Sequence, residues 1–326
     1  MIDAGGREAA YRGRRIVVLG AAGFIGRWVA RGLSQAGARL SLVVRHRETA
    51  APVFSSLGID GEVIELDLLD PAGLRSLLTD VHPSVTFNLC GYGVDPTERD
   101  EKTAYRINAD LIKELCEGVA ASRDCTWTGQ ALIHAGSALE YGDCHGNLDE
   151  ASVPHPTTLY GKSKLTGTVA LERAFRSGRL KGLTARLFMV YGPGEQTRRL
   201  LPMLLEAVRA GNDIPLTEGR QQRDFTYVED VAEGLLRLAI HEDRKEAIVN
   251  LATGRLTTVR EFVELAAEIM CLRRERLKWG ALPTRSEEMR HQPLTLQRLR
   301  RLTDWSPSTT IEEGIRRTMR IAAGSR

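Results

Sequence analysis

Short apolar runs rich in β-branched residues alternate, through about residue 198, with longer stretches that have the period of a helix. The short runs have the length and composition of strands buried in a parallel sheet, and the longer stretches suit helices that cover it. This alternation predicts an α/β protein. The predicted strands are residues 15–19, 39–44, 62–70, 85–91, 131–135 and 183–190.

A glycine-rich turn follows the first predicted strand and opens a helical pattern that ends near Ala36. Gly20, Gly23 and Gly26 have the spacing Gly-x-x-Gly-x-x-Gly, with Phe24 and Ile25 before the last glycine. Such turns let backbone N–H groups approach a pyrophosphate at the positive end of a helix. A tight turn without a ligand is the alternative, but the position at the first strand favours dinucleotide binding.

Tyr160 and Lys164 lie four residues apart in a predicted helix, which places them on one face, one turn apart. A phenol normally loses its proton near pH 10, and we expect the nearby ammonium to lower the pKa of Tyr160. The pair is therefore a candidate proton shuttle for an alcohol or ketone. Taken alone, the pair also fits the start of a surface helix, so its functional interpretation depends on the glycine turn.

Composition narrows the class of protein. The net charge of +3 on a background of mixed sign does not suggest a nucleic-acid or membrane partner. The five cysteines are scattered without a Cys-x-x-Cys pair, so we expect no metal site and no disulfide framework. The chain shows no signal peptide, and its longest apolar runs are too short to span a bilayer. We therefore expect a cytoplasmic protein.

Further motifs follow in a fixed order. Gly-Ser-Ala-Leu-Glu-Tyr-Gly spans residues 136–142, Arg-Asp-Phe spans 223–225 and Trp-Ser-Pro spans 305–307. With the glycine turn and the Tyr160 helix, these motifs resemble the extended short-chain dehydrogenase/reductases of the nucleotide-sugar epimerase, dehydratase and ketoreductase group. The resemblance extends from about residue 14 to residue 318. It implies an NAD(P) cofactor and a nucleotide-diphosphate sugar as substrate.

The resemblance assigns Ser137 as the hydroxyl that orients the substrate, four residues before Tyr141. A hydroxyl can both donate to and accept from a reacting carbonyl or alcohol. A serine that only shapes a turn is the alternative. Sugar-nucleotide dehydratases carry Asp-Glu at the next two positions, where this chain has Ala138 and Leu139. Apolar side chains cannot transfer protons, so a 4,6-dehydratase is disfavoured.

The end of the second strand bears on the choice of cofactor. Relatives that use NAD carry an acidic residue where this chain has Val44, followed by Arg45, His46 and Arg47. A guanidinium can pair with the 2′-phosphate of NADP, so Arg45, with Arg47 in support, favours NADP(H) over NAD(H). A solvated basic loop is the alternative. The other positions that match the family's cofactor contacts are Asp67, Leu68, Leu89, Cys90, Gly91, Asn108, Tyr160 and Lys164.

The resemblance also assigns residues to the substrate diphosphate. Arg223 matches the family's diphosphate-binding arginine, and Arg285 is a second candidate on a less secure alignment, because Thr295 stands where an aspartate is expected. An arginine fork suits two phosphate oxygens; a surface pair of Arg223 with Asp224 is the alternative. Met189 replaces an asparagine that helps to seat the diphosphate, and a thioether is a poor substitute.

We predict a doubly wound parallel (Rossmann) sheet with a smaller, mostly helical C-terminal lobe, and the substrate in the cleft between them. Residues 200–210 form an amphipathic helical pattern in that lobe. The predicted parts are a loose leader at 1–13, a cofactor-binding domain at 14–190 to which 225–256 return, and a substrate-binding lobe at 191–224 and 257–326. The resemblance also implies a homodimer formed through the helices of Asn108 and Tyr160.

Three functions remain open. The favoured one is an NADP(H)-dependent reductase of a nucleotide-linked 4-keto-sugar. The alternative is a nucleotide-sugar 4-epimerase that keeps its NAD bound. A non-catalytic, cofactor-binding scaffold is the third, and the complete set of Ser137, Tyr160 and Lys164 argues against it.

Overall fold

The structure, a computed structural model, describes residues 4–95, 97–144, 148–243, 245–283 and 293–324. Its strands are β1 (Arg15–Leu19), β2 (Arg39–Val44), β3 (Glu62–Glu65), β4 (Val85–Asn88), β5 (Leu132–Ser137), β6 (Gly182–Leu187), β7 (Met189–Tyr191), β8 (Ile214–Pro215), β9 (Gln222–Arg223), β10 (Phe225–Tyr227), β11 (Ile248–Leu251), β12 (Thr257–Thr258) and β13 (Leu277–Lys278).

The α-helices are α1 (Ala4–Tyr11), α2 (Gly26–Gln35), α3 (Arg47–Leu57), α4 (Pro71–Val81), α5 (Glu101–Tyr105), α6 (Leu111–Ser122), α7 (Leu159–Arg176), α8 (Leu200–Ala210), α9 (Val228–Ile240), α10 (Val259–Ile269), α11 (Gln297–Thr303) and α12 (Ile311–Gly324). A π-helical turn, Arg106–Asp110, joins α5 to α6, and 3₁₀ turns cover Ala138–Glu140 and Arg274–Arg276.

A seven-stranded parallel sheet has the order β11-β6-β5-β4-β1-β2-β3. Alternate residues of β1 face its two sides: Ile16 and Val18 belong to one apolar core, and Val17 and Leu19 to the other. Helices α2 and α9 cover the first side, and α4 and α6 cover the second. The predicted doubly wound sheet is confirmed, and the order reverses between β1 and β4, which is where such folds bind ligands.

A second apolar core lies outside the large sheet, in the smaller and mostly helical lobe. It packs α8, α10 and α12 around an aromatic group in which the rings of Phe225 and Phe262 stack at 4.2 Å and Tyr191 meets Phe262 edge-on at 5.3 Å. The helix predicted at residues 200–210 is present as α8. In the described part of the chain, no helix has both the length and the apolar character needed to cross a membrane.

Two expectations about the elements are wrong. The leader predicted to be loose contains α1, because Tyr11 is fully buried, stacks on Trp127 at 5.9 Å and donates its hydroxyl to the Leu236 carbonyl at 2.6 Å. The strand predicted at 183–190 is divided, because β6 ends at Leu187 and β7 pairs instead with β10. The chain thus passes from the large sheet to the smaller lobe near Phe188.

Candidate active site

The helix α7 brings Tyr160 and Lys164 to the carboxyl ends of β4 and β5. Thr158 caps its start by accepting a hydrogen bond from the N–H of Gly161 at 3.0 Å. Lys164 is buried, and its Nζ donates to the main-chain oxygens of Cys90 and Ala135, both at 3.1 Å. The same Nζ lies 5.9 Å from the centre of the Tyr160 ring. The two predicted residues therefore meet at the carboxyl edge of the sheet.

Burial dominates the ionisation of Tyr160. It raises the pKa of Tyr160 well above its usual range, and the Glu140 carboxylate raises that pKa further, whereas Arg199 and a hydrogen bond with Ser137 oppose the rise. The expectation that the pKa of Tyr160 is lowered is wrong, because burial outweighs the effect of the nearby cations. Burial also lowers the pKa of Lys164 itself to about 8. At neutral pH the phenol is therefore protonated and can donate a proton.

Ser137 ends β5 and is fixed by a buried ion pair. Its Oγ accepts from the N–H of Leu139 at 3.2 Å, and its own N–H donates to Glu140 Oε1 at 2.8 Å. Glu140 Oε2 in turn accepts from Arg186 Nε on β6 at 2.9 Å. Accepting the hydrogen bond from Leu139 leaves the Ser137 hydroxyl proton available for Tyr160, whose pKa a hydrogen bond with Ser137 lowers against the rise caused by burial, or for a ligand. Sequence reasoning missed Glu140, although Ser-x-x-Glu is a capping-box pattern that could have identified it.

Asn108 links the loop after β4 to the Tyr160 helix. Its Oδ1 accepts from the N–H of Tyr92 at 3.1 Å, and its Nδ2 donates to the Tyr92 carbonyl at 2.7 Å and to Ser163 Oγ at 2.9 Å. Asn108 lies in the π-helical turn, a feature that often marks functional sites. The side chain thus supports the backbone of the site, and its contact with a cofactor stays a prediction.

The glycine turn has the close approaches that a dinucleotide site needs. Gly20 has φ +73°, and a Cβ on Gly26 would lie 2.0 Å from the Gly20 carbonyl oxygen, so only glycine fits there. Phe24 and Ile25 pack against the main core. Arg27, which sequence reasoning did not identify, donates to the carbonyls of Ala22 at 2.8 Å and Gly23 at 3.1 Å. The turn fits a pyrophosphate at the start of α2.

The exit of β4 lies against this turn and against Lys164. Leu89 N–H donates to the Leu19 carbonyl at 3.1 Å, and a Cβ on Gly20 would lie 3.1 Å from Cys90 Sγ. A Cβ on Gly91 would lie 3.4 Å from Lys164 Nζ. Leu89, Cys90 and Gly91 are therefore grouped between the glycine turn and the catalytic candidates.

The two candidate arginines for the 2′-phosphate differ in their environment. Arg45 is exposed just after the end of β2, and burial raises the pKa of Cys90 against the opposing charges of Lys164 and Arg45. The side chain of Arg47, in contrast, donates to the Val63 carbonyl. Asp67 is exposed and accepts from the N–H of Leu69 at 3.0 Å, while Leu68 packs on the core beside it. Arg45 is therefore better placed than Arg47 to bind a 2′-phosphate.

Two arginines are predicted to bind the diphosphate. One of them, Arg223, lies on β9, and burial lowers its pKa to about 10. The adjacent Asp224 is buried and accepts from the N–H groups of Thr253, Gly254 and Arg255, so it organises that turn. Met189 donates its N–H to the Asp224 carbonyl at 3.0 Å, beside Arg223. Arg285 lies outside the described residues.

Sequence reasoning also missed a charged pair next to this group. Arg199, immediately before α8, donates through Nε to Glu195 Oε1 at 3.3 Å and through Nη2 to Met189 Sδ at 3.2 Å. The Glu195 side chain is only 4% exposed, and burial raises its pKa to about 7. Nothing in the sequence distinguishes these two residues from a surface pair four residues apart.

Comparison with known proteins identifies the family. Residues 16–252 match the model of the NAD dependent epimerase/dehydratase family. The chain belongs to this family. It is 32% identical over 318 residues to a dTDP-6-deoxy-L-talose 4-dehydrogenase (NAD(P)(+)) of Kitasatospora kifunensis, with 93% of each chain covered. It is 27% identical over 320 residues to a GDP-6-deoxy-D-mannose reductase of Pseudomonas aeruginosa, with 93% of this chain and 95% of the relative covered.

A solved structure agrees with this assignment. The complex of MoeE5 with UDP-glucose and NAD superposes with a TM-score of 0.81 at 26% identity, covering 95% of this chain and 99% of that one. The resemblance to the extended short-chain dehydrogenase/reductases is confirmed, and this epimerase/dehydratase-family protein is an enzyme of that NAD(P)-dependent group. When bound, the nicotinamide supplies or accepts the hydride. The chain itself provides a protonated phenol at Tyr160, a hydroxyl at Ser137 and a cation at Lys164.

Proposed function

We propose that the protein reduces the 4-keto group of a nucleotide-diphosphate 4-keto-sugar with NADP(H). Tyr160 donates its proton to the oxygen that becomes the alcohol, Ser137 orients the carbonyl, and Lys164 holds the nicotinamide ribose. Arg45 binds the 2′-phosphate and Arg223 binds the diphosphate. The relatives named as a 4-dehydrogenase and a reductase of 6-deoxy-sugar nucleotides support this chemistry, because the two directions of one reaction use the same groups.

The observation that carries the choice of NADP is the end of β2. The residue in the acidic position is Val44, which is buried, and the next side chain is the exposed Arg45. A guanidinium favours a 2′-phosphate there, and NADP(H) mainly feeds reductions. Ala138 and Leu139, which follow Ser137, offer no group for removing water from the sugar.

The test starts with protein freed of loose nucleotide, whose bound cofactor is then determined. The stable alcohol direction is assayed with dTDP-, GDP- and UDP-linked 6-deoxyhexoses, following NADPH formation from NADP⁺. We expect turnover with NADP⁺ preferred over NAD⁺, and a reduced preference in Arg45→Ala but not in Arg47→Ala. A retained NAD, with interconversion of two 4-epimers and no added cofactor, would instead establish the epimerase.

A further inference from the structure

The loop after β4 runs along the face of α7 that carries the two catalytic candidates. A Cβ on Gly91 would lie 3.4 Å from Lys164 Nζ. A Cβ on Gly93 would lie 3.2 Å from Cδ2 and 3.4 Å from Cβ of Tyr160. Two residues of backbone span at most about 7 Å, which matches the advance of about 6 Å over four residues of a helix. The backbone of the loop therefore contacts first the lysine and then the phenol ring.

Gly93 has a backbone conformation that suits glycine alone. Its φ is +102°, a region that other residues rarely enter, and a side chain there would press on the Tyr160 ring. The preceding residue is fixed by Asn108, which bonds both the N–H and the carbonyl of Tyr92. Fixing one neighbour does not by itself hold Gly93 in an unusual conformation. The contact between Gly93 and the phenol ring therefore depends on what binds Gly93 itself.

Glu98, which the proposed function has not used, binds Gly93. Its Oε2 accepts from the Gly93 N–H at 2.7 Å and from the Asp95 N–H at 3.4 Å. The N–H of Glu98 donates to the Asp95 carbonyl at 2.9 Å, so the carboxylate is itself fixed by a turn of the same loop. A hydrogen bond to a carboxylate at such a distance is of the strong, charge-assisted kind. Glu98 therefore determines where the Gly93 backbone lies on the Tyr160 ring.

We propose that Glu98 is a positioning residue, whose carboxylate holds the Gly93 backbone against the Tyr160 ring and so keeps the phenol directed at the substrate oxygen. This inference rests on the proposed function, because it takes Tyr160 as the proton donor. A proton is transferred only between atoms within hydrogen-bond reach, so a ring that is free to move spends less time in the reactive position. Glu98 acts through Gly93 and does not itself touch the reacting atoms.

Turnover kinetics with NADP⁺ and 6-deoxyhexose nucleotides test this role. Glu98→Ala removes the acceptor for Gly93, and we expect kcat to fall roughly 10- to 100-fold, as a small misplacement of a reacting group can cause. The Kd of NADP⁺ should stay the same, because the glycine turn is unchanged. Glu98→Gln should recover most of the loss, since its amide oxygen can accept the same hydrogen bond. The matched control is Glu101→Ala, which removes an exposed carboxylate three residues later and should leave kcat unchanged.

Nuclear magnetic resonance tests the contact without any substrate. The chain has seven tyrosines, so with isotope-labelled tyrosine rings the Tyr160 signal is identified by its absence from Tyr160→Phe. We expect this signal to move in Glu98→Ala and to stay near its wild-type position in Glu98→Gln and Glu101→Ala. The amide proton of Gly93 should also exchange with solvent faster in Glu98→Ala, because its hydrogen bond is lost. These two signals report on the contact itself, whichever reaction the protein performs.

The outcomes separate this inference from the proposed function. An unmoved Tyr160 signal in Glu98→Ala would overturn the inference, and so would a wild-type kcat in that variant. Equal losses of kcat in Glu98→Gln and Glu98→Ala would show that the charge of Glu98 matters rather than the position it gives to Gly93, which also overturns it. A wild type that turns over none of the nucleotide sugars overturns the proposed function, while the resonance signals still decide whether Glu98 positions Tyr160.

Discussion

At the scale of the residue, the proton of Tyr160 is available for transfer to a substrate oxygen. Burial and the Glu140 carboxylate keep the phenol protonated at neutral pH, and the Ser137 hydroxyl is within hydrogen-bond reach. A protonated phenol is ready to act as an acid on a carbonyl that receives a hydride. This protonation state is the one that the proposed reduction requires.

Replacing Tyr160 with Phe keeps the ring and removes the transferable proton. We expect the turnover rate to fall by roughly 10²- to 10⁴-fold, because this is the usual contribution of a positioned acid or base. Calorimetric affinities for cofactor and nucleotide sugar should change little, which would separate chemistry from binding. A variant with the wild-type turnover rate would show that another group supplies the proton.

The lowered pKa of Lys164 predicts that the free energy of unfolding depends on pH. Its pKa in the folded protein is about 8, below the usual lysine value of 10.5, so between these pH values the unfolded chain binds more protons. The free energy of unfolding then rises with pH for this residue. Relative to Lys164→Met, the wild type should gain on the order of 2 kcal/mol between pH 7.5 and 9.5. Urea unfolding of both proteins at each pH measures the difference; a difference independent of pH would contradict the lowered pKa.

At the scale of the element, the sequence correctly predicted the strands, turns and helices whose form depends on residues adjacent in the chain. The strand β1, the glycine turn and α2 follow one another within 21 residues, and each has a local physical reason for its form. The N-cap of α4 is another local feature, with Asp70 accepting from the N–H of Ala72 at 3.0 Å before the helix that Pro71 opens. Local chemistry sufficed to predict these parts.

The elements that were missed depend on partners far away in the chain. The apolar run at 183–190 does not reveal that its last residues pair with β10, some 35 residues later. The leader gives no sign of a helix until Tyr11 meets Leu236. The Glu195–Arg199 pair is meaningful only because Met189 lies against it. Tertiary contacts, rather than spacing, determine these features.

The ion pair between the 3₁₀ turn after β5 and the strand β6 predicts a large effect on stability. Glu140 and Arg186 are both essentially without solvent contact, and the guanidinium also lies 4.3 Å from the centre of the Tyr141 ring. Arg186→Met leaves a buried carboxylate without its partner and should cost about 3–5 kcal/mol of unfolding free energy. The double variant Glu140→Met with Arg186→Met should recover part of this loss, because no buried charge remains. Chemical unfolding of the three proteins checks both statements; equal stability of Arg186→Met and wild type would contradict them.

At the scale of the whole molecule, two packed regions meet around the carboxyl edge of the large sheet. We propose that residues 14–190 and 225–256 form the cofactor-binding domain and that 191–224 and 257–326 form the substrate lobe. The aromatic rings of Phe225 and Tyr227 pack in the core of the smaller lobe, while β11 lies in the large sheet, so the return segment connects both. The predicted homodimer remains a prediction.

This division predicts that one arginine can be removed without harm to the cofactor site. Arg223 lies on β9, which pairs with β12 outside the large sheet, whereas the glycine turn follows β1 of that sheet. Burial lowers its pKa to about 10, so it stays charged at neutral pH. Loss of its charge-assisted contact should weaken nucleotide-sugar binding by about 1.5–3 kcal/mol, while the NADP(H) affinity stays the same.

Calorimetric titration of Arg223→Ala with a nucleoside diphosphate and, separately, with NADP⁺ measures both affinities in one preparation. Arg220→Ala is a suitable control, because that residue is exposed in the same segment of the chain. If Arg223→Ala weakens the binding of both ligands equally, the residue stabilises the fold as a whole rather than binding the diphosphate. If it weakens the binding of neither ligand, other residues bind the diphosphate.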